Sequence, residues 1–168
     1  MKPPTCAVLK KRVVTAAICG LVMGLGSMAG ASEGRLAPLS ERVTGAEVVV
    51  VATPSSVSAS WKENAFGDKL IVSRFTLHIE ETLRGTPAAD VALDLEGGTL
   101  DGFTLRVSSL PTLVPGERAV FFLDAVDGGA YHAHLRGQGI LKLDDQNLVK
   151  GSGLSLDDIR RVAASAAN

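Results

Sequence analysis

Three histidines are the residues of this chain whose type and spacing best suit metal binding. His132 and His134 stand two positions apart, so both side chains project from one face if the segment is an extended strand. Zinc takes about four ligands, and a His-x-His pair supplies two of them. His78 is the candidate third ligand, with an oxygen from Glu80 or Asp124. The alternative interpretation is that the pair lies on the solvated face of its strand.

Acidic and hydroxyl side chains do not form an arrangement typical of catalysis. Asp94, Glu96 and Asp101 surround the Gly97-Gly98 pair, which is typical of a solvated turn, and no loop has the spacing of an EF-hand calcium site. No Gly-x-Ser-x-Gly sequence lies between a predicted strand and a predicted helix, and no phosphate-binding glycine loop opens a helix. The sequence therefore favours a non-catalytic protein, with a hydrolase that uses the histidines as the alternative.

Two aromatic side chains are candidates for binding a protein partner. Trp61 lies at the end of the first long strand and Phe66 lies in the loop that follows, where a large apolar side chain can anchor a partner. The alternative is that Trp61 covers one end of the fold, since tryptophan gains much apolar area by burial. The other phenylalanines occupy predicted core positions: Phe75, Phe103, Phe121 and Phe122.

The elements that position these side chains follow a predicted signal peptide, residues 1–31. Four basic residues precede an apolar run of 16 residues, Val13–Met28, which ends in Ala29-Gly30-Ala31. A helix needs about 20 residues to cross the hydrocarbon core, so cleavage after Ala31 is the preferred interpretation and an uncleaved membrane anchor is the alternative. We therefore expect a secreted or periplasmic protein.

Cleavage changes both the charge and the chemistry of the chain. The remaining 137 residues carry 13 basic and 18 acidic side chains, a net charge of −5, and they lose both cysteines, Cys6 and Cys19. The exported chain thus has no disulfide and no thiolate metal site, and it must fold on its apolar core. Its negative charge argues against nucleic-acid binding, which needs a basic groove. We expect one domain and no stable membrane insertion.

Hydrophobic periodicity predicts a mainly β domain over residues 46–150. A lead-in, 32–45, contains a short helix, and the C-terminal segment, 151–168, is helical with a capping box at Ser155. Residues 47–52 form a β-branched run typical of a strand covered on both faces, and 71–80 alternate apolar and polar side chains. Seven or eight such strands favour a small antiparallel OB-like barrel, with a β-sandwich as the alternative.

Several short motifs carry a resemblance to known proteins. They are Ala46–Val50, Leu83-Arg84-Gly85, Pro115–Leu123 and Gly137-Gln138-Gly139. Over about residues 46–143, the chain resembles small secreted bacterial proteins of uncharacterised type. It is more distantly similar to the netrin-like domains related to tissue inhibitors of metalloproteinases, which are OB-fold barrels. Inhibitors of that group reach a protease metal with an N-terminal cysteine, which the exported chain lacks, so the resemblance implies a fold and transfers no functional residue.

Two function classes follow from the sequence. The first is an exported, non-catalytic β-barrel module that binds a protein or another envelope component through the Trp61–Asp68 loop, because loops on a rigid barrel commonly carry binding residues. The second is a secreted metal-binding protein or hydrolase that uses His78, His132 and His134, with zinc as its candidate cofactor. A purely structural envelope protein is a third class with the same sequence features as the first.

Overall fold

The structure is a computed structural model that describes residues 35–64 and 66–166. The predicted signal peptide, with its cleavage site after Ala31, lies outside the described residues. Within them, no helix is long and apolar enough to cross a membrane.

The described chain is mainly β, with a short helix near each end. In chain order the elements are α1 (Leu39–Gly45), β1 (Val48–Glu63), β2 (Lys69–Arg84), β3 (Asp90–Glu96), β4 (Gly98–Leu100), β5 (Phe103–Leu105), β6 (Ala119–Val126), β7 (Ala130–Ala133), a 3₁₀ turn (Arg136–Gly139), β8 (Ile140–Lys142) and α2 (Leu156–Ala166). The predicted lead-in helix and C-terminal helix are both confirmed.

Five strands close into a ring. They are hydrogen-bonded in the order β1-β2-β3-β7-β6, and β6 returns to pair with β1 over Val48–Ala52. Every neighbouring pair is antiparallel except β3 and β7, which run parallel at Ala92↔Ala130 and Leu93↔Tyr131. This is a five-stranded OB-like barrel, as the strand spacing predicted, with one parallel pair that the prediction of an antiparallel barrel did not include. β8 adds to the free edge of β6, and β4 and β5 form a separate hairpin.

The first half of β1 is buried on both faces. Val48, Val50 and Ala52 face the barrel core, whereas Val49 and Val51 face a second, outer core. The β-branched run predicted such a strand, because a strand without a solvated face has no need for alternating polar residues. Phe121 and Phe122 divide between the same two cores, so β6 is covered in the same way.

Both helices pack on the outer core. Val43 of α1 and Ile159 of α2 are fully buried there. The predicted capping box begins α2: the Asp158 N–H donates to Ser155 Oγ at 3.2 Å, and the Ser155 N–H donates to Asp158 Oδ2 at 2.9 Å. At the end of β2, the Arg84 guanidinium donates to carbonyl oxygens at the C-terminal end of α1, including Thr44 at 2.6 Å.

Beyond Ala52, β1 no longer pairs with β6 and pairs with β2 alone. Register shifts interrupt the β1–β2 ladder three times, the last between Pro54 and Ser56. The ladder is then regular from Ser56↔Thr76 to Glu63↔Lys69. Pro54 lies at a bulge, as its missing N–H predicts. Because the β2–β3 ladder begins at Val72, the end of the β1–β2 hairpin projects beyond the ring, and this end carries the candidate binding residues.

Candidate functional site

Trp61 lies on the inner face of the projecting hairpin. Its Cα is paired with that of Ile71, whose side chain is buried, and directly opposed residues of an antiparallel pair share a face. The indole Nε1–H donates to Asp101 Oδ2 at 3.1 Å, across to the β4–β5 hairpin. Trp61 nevertheless remains 44 % exposed. The β4–β5 hairpin thus covers part of the indole, and the rest of the ring faces solvent.

Phe103 faces solvent beside Trp61, and its predicted core position is wrong. Phe103 is 65 % exposed, and its ring meets the Trp61 ring edge-to-face, with centroids 6.0 Å apart and planes at 68°. The prediction failed because β5 pairs only with β4 in a separate hairpin, so its alternation does not face the barrel core. The sequence contains a sign of the separate hairpin. The Gly97-Gly98 and Asp101-Gly102 turns are so close that the strand between them has only three residues, and β5, which pairs with it, is equally short.

Phe66 is presented by a tightly bonded turn between β1 and β2. The Asn64 side-chain oxygen accepts from the N–H groups of Phe66 and Asp68, both at 2.9 Å, in the manner of an Asx turn. The Asn64 N–H also donates to the Asp68 carbonyl oxygen at 3.0 Å. Phe66 is 90 % exposed, so the turn directs a large apolar side chain into water. We refer to Trp61, Phe66 and Phe103 together as the aromatic set.

Charged groups on the outer face fix the projecting hairpin to β3. Asp94 accepts from Arg74 Nε at 2.7 Å and from Lys62 Nζ at 2.7 Å, and only 15 % of its side chain is exposed. The Arg74 hydrogen bonds, together with those of Lys62, hold the pKa of the Asp94 carboxyl below its usual range. The carboxylate therefore stays ionised at neutral pH and links both strands of the hairpin to the barrel.

An uncharged groove runs along the inner face of the hairpin. Val57 and Ala59 of β1 form one side, and the buried side chains of Phe75, Leu95 and Leu113 belong to its floor. The remaining lining residues are also uncharged: Ser73, Gly97, Gly98, Thr99 and Thr112. Because Val57, Ala59 and Trp61 alternate along β1, the indole lies on the same face as the groove.

The structure brings two of the three histidines to a common carboxylate. His134 Nδ1 lies 2.7 Å from Asp124 Oδ2, and His132 Nε2 lies 3.6 Å from the same oxygen. His78 lies instead with its Nδ1 3.0 Å from Asp90 Oδ1, between β2 and β3. No group of three His, Cys, Asp or Glu side chains within the described ranges is arranged to hold a metal ion. Zinc binding by the histidines stays a prediction.

The fold and the site together define an OB-like barrel whose projecting hairpin carries exposed aromatic side chains beside an uncharged groove. In comparisons with known proteins, no family model matches the chain and no curated protein matches it. The similarity to netrin-like domains stays a prediction, and the function is argued below from the site itself.

Proposed function

We propose that this chain is an exported, non-catalytic OB-like barrel that binds a protein or another envelope component through the aromatic set. The observation that carries the proposal is the exposure of Phe66 and Phe103, at 90 % and 65 %, on two neighbouring hairpins. Large aromatic side chains left in water lose the free energy of burial, and they supply the anchors that dominate protein interfaces. Trp61, held by Asp101 and packed on Phe103, is ordered before binding and loses little conformational freedom in a complex.

The surroundings of the aromatic set support binding over catalysis. The nearby cations Lys62 and Arg74 are already paired with Asp94, and Trp61 Nε1 already donates to Asp101. Lys62, Arg74, Asp94 and Asp101 thus act as supports for the hairpin. Loops and hairpin ends on a closed barrel present side chains on a rigid base, and OB-fold barrels use the β1–β2 loop in this way for several ligand classes.

The test is capture of envelope components by the tagged exported protein, compared with a triple variant, Trp61→Ala, Phe66→Ala and Phe103→Ala. The matched control removes exposed leucines elsewhere, Leu36→Ala and Leu148→Ala. We expect at least one component that the wild type and the control retain and the triple variant loses. That component, once purified, should bind the wild type directly. Equal capture by all three proteins would show that the aromatic set is not the binding site.

A further inference from the structure

The second half of β1 has a free backbone edge. β1 pairs with β6 only over Val48–Ala52, and in the described part of the chain no other strand pairs with its far half on that side. Gly116 donates its N–H to the Pro54 carbonyl oxygen at 2.8 Å, which is the last backbone contact on that side before Ser56. From Ser56 to Glu63, every second residue therefore directs its N–H and C=O away from β2.

From Ser56 to Trp61, this edge lacks the features by which proteins usually protect a free strand. Edge strands are commonly kept short, or they carry prolines, bulges or inward-facing charges. Here the free part of the edge is eight residues long, its register with β2 is regular, and Pro54 and all three register shifts precede it. Val57, Ala59 and Trp61 face inward and are uncharged, and the inward-facing charge, Glu63, lies at the end of the edge opposite Lys69.

The groove lies on the inner face of β1, and a strand added to the edge of β1 would direct half of its side chains towards that face. A strand hydrogen-bonded to the free edge of β1 would place alternate side chains beside Val57 and Ala59, on the face of the sheet that lines the groove. Because no charged residue lines the groove, a charged side chain would lose its hydration there without gaining a partner. The groove therefore favours small apolar or hydroxyl-bearing side chains at every second position of the occupant.

From these features we infer that an extended, uncharged peptide segment of another protein binds as an additional strand on the free edge of β1. Only a polypeptide backbone offers donors and acceptors at the spacing of the edge, and uncharged side chains fit the lining of the groove. Trp61 follows Ala59 on the same face of β1 and packs on Phe103, so these two rings would contact the peptide beyond the groove. The inference rests on the proposed function and names the partner chemistry for the same hairpin.

The test uses random peptides of about ten residues, displayed on phage and selected on the immobilised exported protein. We expect the selected peptides to carry small apolar or hydroxyl-bearing residues at every second position and no charged residue at those positions. Ala59→Asp introduces a charge into the groove, and we expect it to weaken binding of the selected peptides by about tenfold or more. The matched control, Ser60→Asp, places the same charge on the outer face of the same strand and should leave binding unchanged.

A second variant is needed because Ala59→Asp could weaken binding simply by disturbing the folding of β1. Thr112→Asp charges the groove from its opposite side, on an exposed residue outside the barrel strands, and should weaken binding like Ala59→Asp. Failure to select any peptide, or binding that neither variant weakens, would overturn the inference. So would a dimer of the wild-type protein that Ala59→Asp dissociates, because a second copy would then be the occupant of the edge.

The two proposals fail in different ways. If capture of the envelope component depends on the aromatic set but survives Ala59→Asp and Thr112→Asp, the peptide inference is wrong and the proposed function stands. If capture is independent of the aromatic set, the proposed function is wrong, whatever the peptides do.

Discussion

Trp61 and Phe103 pack edge-to-face with ring centroids 6.0 Å apart, although they belong to two different hairpins. The contact is reinforced by Trp61 Nε1, which donates to Asp101 at 3.1 Å on the same small hairpin. The β4–β5 hairpin is thus fixed against the projecting end of β1 by one ring contact and one hydrogen bond. Both rings hold the two hairpins together and are also partly exposed to solvent. Their effect on the free energy of unfolding and their effect on partner binding can therefore be measured separately.

Removing the Trp61–Phe103 contact should cost a small, measurable part of the stability. A double-mutant cycle with Trp61→Ala and Phe103→Ala should give a coupling of about 0.5 kcal/mol, because the pair is partly solvated. Chemical denaturation of the four proteins measures it. Phe66→Ala is the control and should change the free energy of unfolding by less than about 0.5 kcal/mol, since that side chain is almost fully exposed. A coupling of zero would mean that the two rings do not interact in solution.

Stability should decrease as the pH falls into the acidic range. Hydrogen bonds from Arg74 lower the pKa of Asp94, and those from Arg160 lower the pKa of Glu81. A carboxyl whose pKa is lower in the folded state stabilises the fold above its unfolded pKa, about 4, and this stabilisation is lost as the pH falls through the folded value. Denaturation midpoints measured from pH 6 down to about pH 2 should show the decline.

The variants Asp94→Asn and Glu81→Gln provide the control for this pH dependence. Each removes one titrating group while keeping a side chain of similar shape, so the decline in stability should become shallower than in the wild type. A wild-type protein whose stability rises on acidification would contradict the assignment of these two ion pairs.

Gly139 is placed where no side chain fits. A Cβ at this position would overlap the carbonyl oxygen of His134 and lie 3.0 Å from that of Phe122, and both obstacles are backbone atoms. We expect Gly139→Ala to destabilise the protein by about 3 kcal/mol, because the β7–β8 connection must move to make room. Gly153→Ala is the matched control: no atom lies within 4 Å of the position that its Cβ would take, so its effect should be close to zero or slightly stabilising. Thermal or chemical unfolding distinguishes the two.

Elemental analysis tests zinc binding by the histidines. His78 lies beside Asp90 and not beside the pair, and His134 Nε2 lies against Gly45, where a Cβ would be only 2.6 Å away, so we expect less than one zinc per chain after purification in zinc-containing buffer. His132→Ala with His134→Ala should not change that amount. Stoichiometric zinc that the double variant loses would instead support the secreted metal-binding alternative.

Local patterns predict those parts of the fold that depend on near neighbours in sequence. The β-branched run of β1, the alternation of β2, the bulge at Pro54 and the capping box at Ser155 are all present. Each follows from burial or hydrogen bonding within a few residues, so the sequence determines it directly. Local position also indicates that Phe66 is exposed, whereas for Trp61 it leaves an exposed anchor and a cover of the barrel end as alternatives, and the indole is half-covered.

The rest of the site depends on pairing between segments that are distant in sequence. Hydrophobic periodicity predicts which residues of a strand share a face, but it does not predict which strands pair. Alternation indicates that Phe103 and Leu105 share a face, but not that this face belongs to a separate hairpin. The free edge and its groove exist because β6 meets β1 only as far as Ala52, a pairing between residues almost seventy positions apart. Likewise, Asp124 reaches the two histidines through the β6–β7 register.

The division of β1 into a doubly covered half and a projecting half has a consequence for dynamics and for divergence. Amide protons of Val49–Val51 should exchange with solvent only when the whole barrel opens, whereas those on the free edge beyond Ser56 should exchange within the native state. The first half must satisfy two packing environments at once and tolerates few replacements. The second half can accept new side chains without unfolding the molecule, so one continuous strand joins a constrained scaffold to a surface that is free to acquire a new specificity.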